Sequence, residues 1–137
     1  MTFVPEDFFD GIYDKFNGNS ALKNAVTGLY LGLAPQGTAY PYITYHLIDD
    51  IPDRWFSHTS EVCRVQFSIF DDSYSAGTVV DIANKLMTCF DDTTIIVDNY
   101  TCVEVTRVLT RLLMEPGATE RETVWHYAID YLIRISE

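Results

Sequence analysis

Three stretches of this chain alternate apolar and polar side chains with a period of two, which commits much of it to a sheet with one buried face. From Tyr40 to Ile48, Pro41, Ile43, Tyr45 and Leu47 point one way, while Tyr40, Tyr42, Thr44, His46 and Ile48 point the other. From Glu61 to Phe70, Cys63, Val65, Phe67 and Ile69 form an inward face, and Val62, Arg64, Gln66 and Ser68 an outward one. In the last third, Trp125, Tyr127, Ile129, Tyr131, Ile133 and Ile135 share a face opposite His126, Ala128, Asp130, Leu132 and Arg134. That strand should close a long hairpin with Tyr100 to Met114 through Glu115–Glu122, where Pro116-Gly117 marks the turn. In the first arm Val103, Val105, Leu109 and Leu113 fall on one side with Arg107 and Arg111, and Val108, Leu112 and Met114 on the other. Both faces of that arm can therefore be covered, one of them by another subunit.

Helical spacing takes over elsewhere. Phe8, Phe9, Ile12, Tyr13 and Phe16 follow Pro5 and two early acids, the arrangement preferred at a helix start, and Asn17-Gly18 ends the run. Ser20 is positioned to cap a short second helix reaching Val26. Asp71, Asp72 and Ser73 offer capping oxygens to a third helix whose stripe is Val79, Ile82, Ala83, Leu86, Met87 and Phe90, closed by Asp91-Asp92. The expected fold is α+β in a single domain over residues 1–137. It has a mostly antiparallel sheet with a long C-terminal hairpin, one main helix packed on a face, and short N-terminal helices.

Two segments are candidates for contacts with other molecules. Ala34 to Gly37 should form a type I turn joining Leu29–Leu33 to the Tyr40–Ile48 strand as a hairpin, which presents Pro35, Gln36, Gly37 and Thr38. Asp49 to Ser60 breaks both periods at Pro52 and predicts an exposed loop carrying Arg54, Trp55, Phe56 and His58. Trp and Arg are enriched where interfaces concentrate their energy, although one of the aromatics can equally fold back over the sheet.

A formal charge of −11, from nine Lys and Arg against 20 Asp and Glu, excludes nucleic-acid binding through clustered cations. Most of the acids precede residue 101. Cys63, Cys89 and Cys102 contain no C-x-x-C pair, so they predict buried free thiols and a reducing compartment rather than disulfides or zinc. The acids of the first ten residues and the lack of a long apolar run predict a protein made in the cytoplasm, with no membrane contact. The pairs Asp49-Asp50, Asp71-Asp72 and Asp91-Asp92 stand at element boundaries, where carboxylates cap helices or solvate turns. His46, His58 and His126 lie in separate elements without metal-ligand spacing, and no nucleophile elbow, P-loop or dinucleotide fingerprint is present. The expectation is a protein without enzymatic activity or cofactor. An enzyme would need a cleft joining His58 and Asp53 to His46 or His126, and an acidic mimic of DNA would need its acids in evenly spaced rows rather than at turns.

The helical start, the run LYLGLAPQGTAYPYITYHLI, the segment EVCRVQFSIFDDSYSAGTVVDIANKLMTCF and the C-terminal hairpin together resemble the tail-completion or tail-terminator proteins of long-tailed bacteriophages. The resemblance covers most of residues 5–135 and implies a ring, commonly of six subunits, on the head-proximal end of the tail tube. Such a ring ends tube polymerisation and offers a docking surface to the head connector. It implies as partners further copies of the chain, the tail tube protein and the connector or stopper protein, with a place in the virion tail. A neck stopper or adaptor is the nearest alternative. DNA would pass through without specific binding, and Asp49, Asp50, Asp71 and Asp72 are the candidate acids of the lumen.

Overall fold

A computed structural model describes residues 5–54, 59–116 and 123–136. Its elements run α1 (Pro5–Asn17), α2 (Ser20–Lys23), β1 (Leu29–Leu31), β2 (Tyr42–Arg54), β3 (Thr59–Asp71), α3 (Gly77–Phe90), β4 (Thr101–Pro116) and β5 (Thr123–Ser136). The strands form one sheet in the order β1-β2-β3-β5-β4, antiparallel except for β1 with β2. The α+β class, the main helix and the C-terminal strand pair are as the sequence predicts.

Alternation explains the core. Cys63, Val65, Phe67 and Ile69 of β3 and Ile129, Tyr131, Ile133 and Ile135 of β5 all turn inward and are buried. Over them α3 lays Val79, Ile82, Ala83, Leu86 and Phe90, and α1 adds Phe8, Ile12 and Phe16. The Phe67 ring lies 4.8 Å from Phe90 and 5.9 Å from Tyr131, so helix and sheet meet through interlocked aromatics. Each such fully buried side chain contributes roughly 1.5–3 kcal/mol. Among the described residues the helices cover only this face, called here the helix face; the other is the open face.

Several local expectations are corrected. The turn spans Pro35–Thr38, one residue later than predicted. Thr38 N donates to Pro35 O at 3.1 Å, and Gly37 takes the third position with φ +85°, the conformation of a type II turn. Nor does it close a hairpin, because β1 pairs with β2 in parallel, Leu29 against Ile43. Gly32, with φ +78°, turns the chain as well, and two changes of direction restore the original heading where one would have reversed it. The cap of α2 is Asn19, whose side chain accepts from Leu22 N, and the helix stops at Lys23 instead of Val26. At α3, Asp71 Oδ2 accepts from Ser73 N, and the helix begins later, where Ser75 Oγ accepts from Gly77 N.

The predicted loop over Asp49–Ser60 is largely strand, since β2 and β3 pair as far as Arg54 with Thr59. Pro52 is tolerated because β1 covers β2 only at Ile43–Tyr45, so it lies where β2 has, among the described residues, no neighbour on one side. In β4, bulges between Cys102 and Glu104 and between Arg107 and Leu109 switch the faces. Val105 and Arg107 lie on the helix face; past the second bulge Leu109, Arg111 and Leu113 lie on the open face, and Thr110, Leu112 and Met114 on the helix face. A uniform period of two places Val105 with Leu109, and the second bulge separates them.

Candidate assembly interface

The open face is built from the positions that alternation turned away from the core, and it carries two bands. At one end aromatic rings cross the strands: Tyr40 stacks on Tyr42 at 5.3 Å, Tyr42 meets Tyr30 at 6.4 Å and Phe70 at 5.3 Å, and Phe70 stacks on His126 at 4.5 Å. His126 Nδ1 lies 2.9 Å from Glu115 Oε1, tying this band to β4. Each ring is in reach of the next because the register sets Tyr42 against Phe70 and Phe70 against His126.

The second band is polar. Asp130 is 5% exposed, and its Oδ2 accepts from Arg64 Nε at 3.1 Å and Nη2 at 2.8 Å, while Oδ1 accepts from Gln66 Nε2 at 2.8 Å. Farther along, Arg134 holds Asp53 and lies 3.6 Å from Glu104. These side chains satisfy one another across four strands, so the polar half of the face is pre-ordered.

Pro35, Gln36 and Gly37 are exposed and Thr38 is half-buried, with Thr38 Oγ1 donating to Pro35 O at 2.6 Å. The turn precedes β2, whereas Arg54 ends that strand of 13 residues, so the two candidate contact segments stand at opposite ends of it. Trp55, Phe56 and His58 lie outside the described residues, as does the side chain of Arg54. Asp49 is exposed on the open face, across from Arg64, while Asp50 faces the helix side across from Cys63, with its Oδ1 buried and without a hydrogen bond. Asp71, at the far end of β3, is 2% exposed, and Asp72 is exposed. The register thus separates the two Asp pairs, and turns Asp49 and Asp50 to opposite faces.

Burial pushes the Cys63 thiol up to about 12, with Asp50, Glu61 and Asp49 adding to the effect. Cys89 is raised as well, again chiefly by burial. It lines a cleft of about 510 Å³ between α1 and the end of α3, together with Gly11, Asp14, Lys15, Asn19 and Thr93. A thiol so protonated is a poor nucleophile and a poor metal ligand. Among the described residues no three His, Cys, Asp or Glu side chains are placed to hold a metal. Asp53, proposed for an alternative catalytic cleft, is engaged by Arg134.

The sequence profile of the family described as tail completion protein gp17 matches residues 10–136. The chain belongs to that family. As a tail completion protein it is a structural protein of the phage virion tail. Among solved structures, a chain of the virion of native gene transfer agent (GTA) particle has the same fold, with a TM-score of 0.82 over 100% of both chains at 13% identity. No curated protein matches the chain in sequence. Alternation in the sequence sets Tyr40 and Tyr42 on the outward face, but only the register joins them to Phe70 and His126.

Proposed function

We propose that copies of this chain close into a ring of six on the head-proximal end of the tail tube, stop its polymerisation and present the surface on which the head connector docks. The match of residues 10–136 to the tail completion family carries this reading. Among the described residues the sheet has two unpaired margins and one face that no helix covers, which supports it, because a ring needs each copy to give one surface and receive another. The work is mechanical and requires no catalytic group or cofactor. The Pro35–Thr38 turn and the segment holding Arg54, Trp55, Phe56 and His58 serve as contacts to tube or connector.

Purified protein added to polymerising tail tube protein should give tubes of bounded length with density at one end in electron micrographs. Unbounded tubes with bare ends would refute the reading. Trp55→Ala or Phe56→Ala should lose tube binding while the circular dichroism spectrum and melting temperature stay as in the parent; binding at parental strength would remove that segment from the interface.

Acids facing the lumen would keep DNA from adhering, since like charge repels phosphate within a Debye length of roughly 8 Å. Among the four candidates Asp49 and Asp72 are exposed. Asp49 stands at a sheet margin, where a neighbouring copy would meet it, which leaves Asp72 as the residue to test. Asp72→Lys should slow DNA ejection from assembled virions, and ejection at the parental rate would remove Asp72 from the lumen.

A further inference from the structure

We propose that the two margins of the sheet are the two halves of the contact between neighbouring copies. In this contact β4 of one copy runs antiparallel beside β2 of the next, with Arg111 against Asp49 and Leu109 against Ile51. The inference rests on the ring reading above and names its interface.

Both margins are open among the described residues, and each sets exposed aliphatic side chains beside charged ones. Among the described residues β4 ends the sheet, and β1 covers β2 only at Ile43–Tyr45, leaving β2 from His46 to Arg54 without a neighbour on that side. On β4, Val108, Leu109 and Leu112 are 42%, 45% and 43% exposed; on β2, Ile48 and Ile51 are 44% and 59% exposed. Exposed edges template pairing with another chain, and the charge and proline of the β2 edge, at Asp49, Asp50, Pro52 and Asp53, restrict that pairing to a complementary partner.

Charge picks the occupant. Arg64, Lys85, Arg107 and Arg134 each hold a carboxylate, whereas Arg111 makes no ion pair among the described residues. Asp49 makes none there either, and both residues are exposed. A free cation on one margin and a free carboxylate on the other, each beside exposed aliphatic side chains, complement each other between two copies of one chain.

Direction and register agree with the charges. Along the order β2-β3-β5-β4 each strand reverses the one before, so β4 runs opposite to β2. Setting copies side by side therefore brings the margins together antiparallel without inverting a copy. Facing Asp49 with Arg111 then fixes Ile51 opposite Leu109. All four residues lie on the open face, since Asp49 and Ile51 pair with Arg64 and Val62, and Leu109 and Arg111 with Asp130 and Ala128. The bulges between Leu47 and Asp49 and between Arg107 and Leu109 bound this match, so the faces agree over residues 49–51 of β2 against residues 109–111 of β4, clear of β1 at Ile43–Tyr45.

Within one copy the row of Asp49 runs through Arg64 and Leu132 to Thr106, not to Arg111. Neighbours are thus staggered along the strands, which tilts the strands to the ring axis as closure of a sheet requires. Pro52 withholds one donor from the β2 margin, so main-chain pairing is incomplete and side chains decide which partner is accepted. Two different margins make a heterologous contact that closes by rotation.

The test uses the full chain assembled on purified tail tubes. Arg111→Glu and Asp49→Arg should each lower ring occupancy at least ten-fold, and the two changes together should restore it. Single variants that assemble as the parent does, or a double variant that stays defective, would overturn the contact. Facing antiparallel positions also suit a disulfide. Ile51→Cys combined with Leu109→Cys should give an oxidised ladder of chain multiples that neither change gives alone. No ladder, or a cross-link to the tube protein instead, would overturn the proposal. Tube length in the same preparations separates the two readings: rings linked through 51 and 109 on tubes of unbounded length sink tube termination alone, and bounded tubes carrying rings without the link sink the contact alone.

Discussion

Asp130 is the residue whose place alternation judged correctly and whose environment it missed. Its position on the outward face predicts a solvated carboxylate, yet Arg64 and Gln66 enclose it. Removing one partner of such a cluster leaves the other unpaired, so Asp130→Ala should cost about 2–3 kcal/mol in urea denaturation, discounted for the partly exposed Arg64. Gly11 is a second residue-scale constraint. A Cβ there would meet Ile96 O at 2.5 Å and Val97 Cγ2 at 3.1 Å, because α1 lies directly on that segment. Gly11→Ala gains about 1 kcal/mol of helix propensity but forces the helix outward. The expected net result is a loss of about 1–2 kcal/mol, read as a lower urea midpoint.

Elements were legible wherever a single period persisted. The α3 stripe is an example: Val79, Ile82, Ala83, Leu86 and Phe90 are buried as their spacing predicts. Leu86→Ala should therefore cost about 3 kcal/mol in chemical denaturation, with most of it as cavity and lost transfer energy. Periodicity failed where the backbone departs from its repeat. The bulge at Arg107 and Leu109 adds a residue to β4 and moves Arg111 to the open face, a change invisible in residue order. Pro52 misled for the opposite reason, since proline argues against a strand only when both sides of the strand are paired.

At the scale of the molecule, burial of ionisable side chains ties stability to pH. Burial raises the Cys63 thiol and the Tyr45 hydroxyl each to about 12, from 9.0 and 10.0. Tyr131 is raised too, first by burial and then by its 2.6 Å bond to Asp91 Oδ1. All three keep their protons in the fold after the unfolded chain has released them. Their stabilisation is thus complete below pH 9 and is lost as pH climbs toward 12. Stability should fall by about 2 kcal/mol or more between pH 9 and 11, and Cys63→Ala should flatten the early part of that fall; urea midpoints across this range check both. What the sequence determined by itself was local: the period of each element, the core faces, and an acidic chain with no catalytic signature, because these follow from spacing and composition. Only the tertiary structure decided the parallel β1, the faces of β4, the enclosure of Asp130, and the placing of Arg111 and Asp49 on opposite margins. Register and strand order arise from contacts between residues far apart in the chain, and no repeat along the chain encodes them.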